Sequence, residues 1–266
     1  MTTRAEGQLN LIKHPKRRKL PSFSIAIKLA GIVLGFICFA DSAYAMDFRI
    51  SGQYLIMSGT VNGIEPRVFD AVMENNPGIT TVILKNSGGG DARAGFAVAG
   101  FIRKLGLNTA LSGYCRSSCA NIFIGGNVRS FSDDQPLEKT LVAYHAVYAD
   151  DNRYKPGEAY SLKGFYLKLD GKVNPELMSK WINIEDRKGF VYFYHQQASV
   201  LADTQKVLFC RGTEARDMKI RQEQCEKLEF GDALANGIVT TWDILQVKDA
   251  VAASVPVGTD GKIIKN

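Results

Sequence analysis

Histidine is scarce in this chain, with only His14, His145 and His195 among 266 residues. With so few imidazoles, and with cysteine pairs that are not Cys-x-x-Cys, no metal site is indicated. Long apolar runs are also missing. The longest uncharged stretch of the N-terminal hydrophobic segment is Leu29 to Ala40, twelve residues, against roughly 20 for a membrane span. No P-loop, internal repeat or low-complexity domain is present, and the Gly-x-Gly pattern around Gly88 lacks a dinucleotide-binding context. No organic cofactor is therefore implied. The surplus of positive charge is confined to one end. Of 33 basic residues seven lie in 1–45, and of 27 acidic ones two do, so the remainder carries a net charge of only +1. That near-neutrality removes the main support for a nucleic-acid partner.

The basic end reads as a targeting segment. Lys16-Arg17-Arg18-Lys19 precedes the apolar stretch Ile25 to Ala40, which Lys28 interrupts, and Ala43-Tyr44-Ala45 supplies a small-x-small cleavage pattern. Residues 1–45 are thus expected to be a signal peptide. An uncleaved N-terminal anchor is the alternative, and the only way a membrane enters the reading. Export to the periplasm leaves 221 residues, enough for one domain with a sizeable core. It also leaves four cysteines in an oxidising compartment: Cys115, Cys119, Cys210 and Cys225. Four cysteines allow three pairings. Cys115–Cys119 and Cys210–Cys225 are favoured, because each pair brackets a single loop or turn.

The chain is organised around Val82 to His145. Val82-Ile83-Leu84 reads as a buried strand, followed by Asn86-Ser87-Gly88-Gly89-Gly90 and a helix with apolar residues at Ala94, Val98, Phe101, Ile102 and Leu105. Thr109-Ala110-Leu111 begins a second strand. It leads to Cys115-Arg116-Ser117-Ser118-Cys119 and a short helix stopped by Gly125-Gly126. Leu141-Val142-Ala143-Tyr144 is a third strand, ending on His145. Successive strand–loop–helix units make a parallel sheet, which places ligands at the carboxyl ends of its strands. A glycine loop offering N–H donors, a serine at a helix start and a histidine at a strand end are the parts of an acyl-transfer site.

These residues resemble the Clp peptidase family of the Clp/crotonase fold group. That family carries an Asn-Ser-Pro-Gly-Gly loop, matched here by Asn86 to Gly90 with Gly88 in place of proline. Ser118 matches its nucleophile and Tyr144-His145 its strand-end histidine. Phe230 to Val239 is similar to its closing segment. The resemblance implies an α/β fold, a spiral of β-β-α units around a mainly parallel sheet with a helical insertion. It implies Ser118 as nucleophile, His145 as base, and the N–H groups of Gly90 and Cys119 as the oxyanion hole. Its third catalytic residue, an aspartate, falls on Cys225, which leaves the third member of the site unknown. The activity implied is that of a serine hydrolase acting on peptides or proteins. A catalytically inactive scaffold that binds peptides or assembles as a homo-oligomer is the other reading.

Around this core, Asp47 to Thr60 reads as a hairpin and Pro66 to Met73 as an amphipathic helix, with Asp91 as an N-cap. The insertion spans about 149–209, with one helix from Asn174-Pro175 and a second from Val191 through Leu201 that contains His195. The domain is expected over 46–250, followed by a flexible tail at 251–266.

Overall fold

The computed structural model describes residues 45–169, 172–198, 207–213, 215–216, 219–220, 224–247, 252–258 and 260–264. Asp41–Asn266 forms one compact unit. The expected signal peptide lies outside the described residues up to 44. Among the described residues no helix is long and apolar enough to cross a membrane.

This unit opens with the hairpin of β1 (Asp47–Ser51) and β2 (Tyr54–Val61), then α1 (Glu65–Asn75). It continues with β3 (Thr81–Gly90), α2 (Ala92–Lys104), β4 (Asn108–Arg116), α3 (Ser118–Phe123), β5 (Arg129–Ser132) and β6 (Leu141–Tyr144). Then come α4 (Pro156–Leu169), α5 (Pro175–Ile182), β7 (Phe190–Tyr194), β8 (Val207–Cys210), β9 (Ala215–Arg216) and β10 (Lys219–Ile220). β11 (Glu226–Lys227), β12 (Ile244–Leu245) and β13 (Ala253–Ser254) complete it. One sheet runs β11-β8-β7-β6-β4-β3-β2-β1-β13, with β5 branching from β4 and carrying β12. Its centre, β2-β3-β4-β6, is parallel, and antiparallel ribbons close both ends. This is the expected α/β architecture.

Alternation along β3 divides the interior. Val82 and Leu84 join the main core under the helices, whereas Ile83 packs with Ala110 and Val247 on the opposite face. Asp91 caps α2, its carboxylate accepting the Ala94 N–H at 2.8 Å. Gly113, at φ +74°, marks a bulge in β4, where a Cβ would meet the Asn86 side chain. Such a bulge bends a strand. Residues 109–111 before it pair with β5, and residues 114–116 after it pair with β6.

The second half departs from expectation in two places. Val191 onward is a strand and not a helix, because Phe190-Val191-Tyr192-Phe193-Tyr194 is all aromatic or β-branched and buried on both faces. His195 therefore follows a strand. Its Nε2 pairs with the Trp242 carbonyl at 3.1 Å, and its ring sits edge-on to Phe131 and Trp242. The insertion thus contributes two helices and two sheet strands, β7 and β8. The C-terminal stretch is not a loose tail: Ser254 and Ala253 pair with Arg49 and Ile50, and Val257 bridges Ile263.

Candidate active site

β4 and β6 end side by side, and the candidate site is built at their tips. Arg116 is in register with Ala143, and the next N–H, that of Ser117, donates to the Ala143 carbonyl at 2.9 Å. Ser117 adopts φ +56°, ψ −125°, outside the regions that side-chain-bearing residues ordinarily occupy. Such a residue turns the chain sharply, and α3 begins immediately after it. Room for the turn comes from Gly89, where a Cβ would stand 2.6 Å from both the Arg116 carbonyl oxygen and Ser117 Cβ. The turn is also closed covalently, because Cys115 and Cys119 on either side of it form a disulfide.

The sharp turn decides which of two adjacent serines faces the histidine. His145 Nε2 lies 2.7 Å from Ser117 Oγ. Ser118 does not meet the histidine: it is fully buried, its Oγ has no partner, and it packs where α2 passes at Gly95. The serine matched to the nucleophile in the sequence is therefore displaced by one residue from the serine that meets His145. A strand-to-helix elbow places its exposed hydroxyl on the strained turn residue and not on the first helical residue. No spacing in the sequence separates the two adjacent serines; the positive φ of Ser117 does.

His145 is held by aromatic rings. It stacks on Phe190 with ring centroids 4.2 Å apart and planes 13° apart, and Tyr148 leans on it at 5.0 Å. Among the described residues no carboxylate hydrogen-bonds to it. The Arg187 backbone comes close enough to favour protonation somewhat, but not in hydrogen-bond geometry, and Nδ1 is left without a partner. Burial, with a smaller push from the Arg187 charge, lowers its pKa from 6.5 to about 3. The imidazole is thus neutral over the physiological range, the form in which Nε2 can accept a proton. With Nε2 as the acceptor, the ring hydrogen sits on Nδ1.

Gly90 pairs with Val61 in the ladder, so tightly that a Cβ would be 2.0 Å from the Val61 carbonyl oxygen. Cys119 is buried in the first turn of α3. Cys225, at the position expected for an aspartate, is bonded to Cys210, and Cys210 lies opposite Phe190 in the sheet. The second disulfide thus backs the ring that supports His145. Among the described residues no three His, Cys, Asp or Glu side chains converge to hold a metal.

A cavity lies elsewhere. A cleft of about 530 Å³ lies against the opposite face of β3, lined by Arg49, Ile56, Ile83, Lys85, Asn86 and Asp134 among others, and neither Ser117 nor His145 reaches it. Lys85 pairs with Asp134 at 2.7 Å, and the Ser112 hydroxyl donates to the same carboxylate. Burial raises the Asp134 pKa, but these two partners outweigh it and hold it below the usual range.

The chain matches no protein-family model, and no curated protein is significantly similar to it. Among solved structures it is similar to the 1510-N membrane-bound stomatin-specific protease, in a serine-to-alanine mutant. That match has 10% identity over 73% of this chain and 78% of that one, at a TM-score of 0.39. A lysine-to-alanine mutant of the same protease, in complex with a substrate peptide, is 12% identical over 48% and 64%, at a TM-score of 0.38. A ClpP1 mutant from Listeria monocytogenes is 17% identical over 51% and 80%, at 0.36. At these scores the overlays are loose.

Proposed function

We propose that the chain is an exported serine hydrolase acting on peptide bonds, with Ser117 as nucleophile and His145 as general base. The observation that carries this is the 2.7 Å contact between His145 Nε2 and Ser117 Oγ on a strained strand-to-helix turn. As Ser117 Oγ attacks a carbonyl carbon, its proton passes to Nε2. The imidazolium then returns that proton to the leaving amine, giving an acyl-serine. A water molecule, deprotonated by the same nitrogen, releases the acid and restores the serine. The negative charge that develops on the carbonyl oxygen needs N–H donors. With Ser117 as nucleophile, the donor that follows it is the Ser118 N–H in place of Cys119, with Gly90 at the end of β3 as the second donor. Export is supported by two disulfides among the described residues. Tyr160 and Leu167, exposed a helical i, i+7 apart on α4, support self-association.

The second reading, a peptide-binding scaffold without catalysis, is favoured by the empty position behind His145 Nδ1 and by Cys225 in a disulfide. A fluorophosphonate probe on the purified protein separates the two. Labelling that maps to Ser117, disappears in Ser117→Ala and persists in Ser118→Ala supports the hydrolase. Labelling that survives Ser117→Ala, or no labelling of the natural protein, overturns it.

A further inference from the structure

Glu65 is the most deeply buried carboxylate the site chemistry does not use. It opens α1 and is fully inaccessible to solvent. Its two oxygens accept only backbone N–H groups: Asn62 at 3.0 and 3.1 Å, Gly63 at 2.8 Å, and Met46 at 3.2 Å. Among the described residues no cation pairs with it. A buried carboxylate without a countercharge is costly even when hydrogen-bonded. The Met46 contact reaches from 19 residues away to the residue that directly follows Ala43-Tyr44-Ala45. Met46 itself is buried in the core.

We infer that Glu65 is a receptor for the α-ammonium created when the chain is cut between Ala45 and Met46. Water adds across that amide, its hydroxyl going to the Ala45 carbonyl carbon and its hydrogen to the Met46 nitrogen, which takes up a further proton from solvent. The N–H that already donates to Glu65 Oε1 then belongs to a cation, and the missing countercharge arrives where the carboxylate waits. With one residue left attached, the same nitrogen is a neutral amide and the charge stays uncompensated. Met46 is buried although Ala45 is only partly so, so the Met46 side of the bond is enclosed once β1 has paired with β2. Cleavage is therefore expected before the first hairpin closes, and the finished domain holds its new terminus inside. The Asn62–Gly63 turn held by the same carboxylate follows Val61, whose carbonyl accepts the Asp91 N–H at 2.8 Å just past the glycine loop. Processing thus braces the strand beside the candidate site, whether or not Ser117 is catalytic.

The test begins with the full chain expressed in an exporting host. Its intact mass is expected to give Met46 as the first residue; a different terminus or an uncut chain overturns the proposal. Because Asp41–Asn266 is one compact unit, chains starting at Met46 and at Ala45 can then be melted side by side. The Met46 form is expected to melt higher by about 3–6 °C, and Glu65→Gln is expected to abolish that difference. Equal melting temperatures, or a difference that persists in Glu65→Gln, overturn it. Should Glu65→Gln not fold, acylation of the natural Met46 amine by an N-hydroxysuccinimide ester decides: protection of about tenfold or more against the unfolded chain supports the pair, and unprotected reaction refutes it.

Discussion

Two adjacent glycines give the sharpest test of how the serine turn is built. Gly89 has φ +88°, and an alanine Cβ there would lie 2.6 Å from the Arg116 carbonyl oxygen and Ser117 Cβ, and 2.9 Å from the Ser118 nitrogen. Ordinary contact begins near 3.4 Å, so the turn must retreat by about 0.8 Å. The left-handed backbone costs an alanine roughly 1–2 kcal/mol, and the overpacking roughly 1–3 more. For a domain of this size Gly89→Ala should lower Tm by about 5–15 °C. The displaced atoms carry the nucleophile, and a misplacement of about 1 Å costs on the order of 10²-fold in rate. Gly88 is the control: a Cβ there meets nothing within 4 Å and its φ is not left-handed. Gly88→Ala should stay within about 0.5 kcal/mol of the parent. Fluorophosphonate labelling rates and thermal melts of both variants provide the readout. Equal labelling of Gly89→Ala and the parent would refute the view that this glycine positions Ser117.

Phe190 should act through His145. Phe190→Leu keeps most of the buried volume but removes the stacked ring, so labelling is expected to slow by about tenfold, with an inflection emerging near pH 6 as the imidazole becomes better solvated; an unchanged rate and profile would contradict this. In the natural protein, the His145 pKa of about 3 predicts labelling that is level from pH 8 to pH 5 apart from the probe's own hydrolysis, and a midpoint near 6.5 would count against the burial argument. Stability follows the same linkage. The folded-state pKa lies below the unfolded value, so protons favour the unfolded chain. Stability contributed by this group is lost as pH falls from about 6.5 toward 3, by at most about 1.4 kcal/mol per unit, as chemical denaturation at stepped pH would show.

Much of the frame was legible because its signals are local. β3, α2, the capping Asp91 and β6 carry their own periodicity or cap chemistry, and the two disulfides join cysteines that bracket single turns. What escaped depends on the third dimension. The choice between Ser117 and Ser118 rests on one positive φ, which no composition or spacing encodes. β7 was hidden because both of its faces are buried, erasing the alternation that marks a strand. The pairing of residues 253–254 with β1 joins the two ends of the domain across some 200 residues, beyond the range of any pattern. The aromatic support of His145 likewise arrives from β7, 45 positions downstream by residue number.

Arg129 shows what such distances mean for synthesis. Its guanidinium donates to the Gly126 carbonyl nearby and to the carbonyls of Gly237 and Ile238, the last 109 residues later. A chain emerging from the ribosome lays down β3, β4 and β5 long before those acceptors exist. The branch that β5 makes from β4 is therefore completed only when nearly nine-tenths of the polypeptide has been made. Truncation anywhere before residue 237 strips that cation of two of these three partners, so fragments ending there should be recovered as aggregates and not as smaller folded domains.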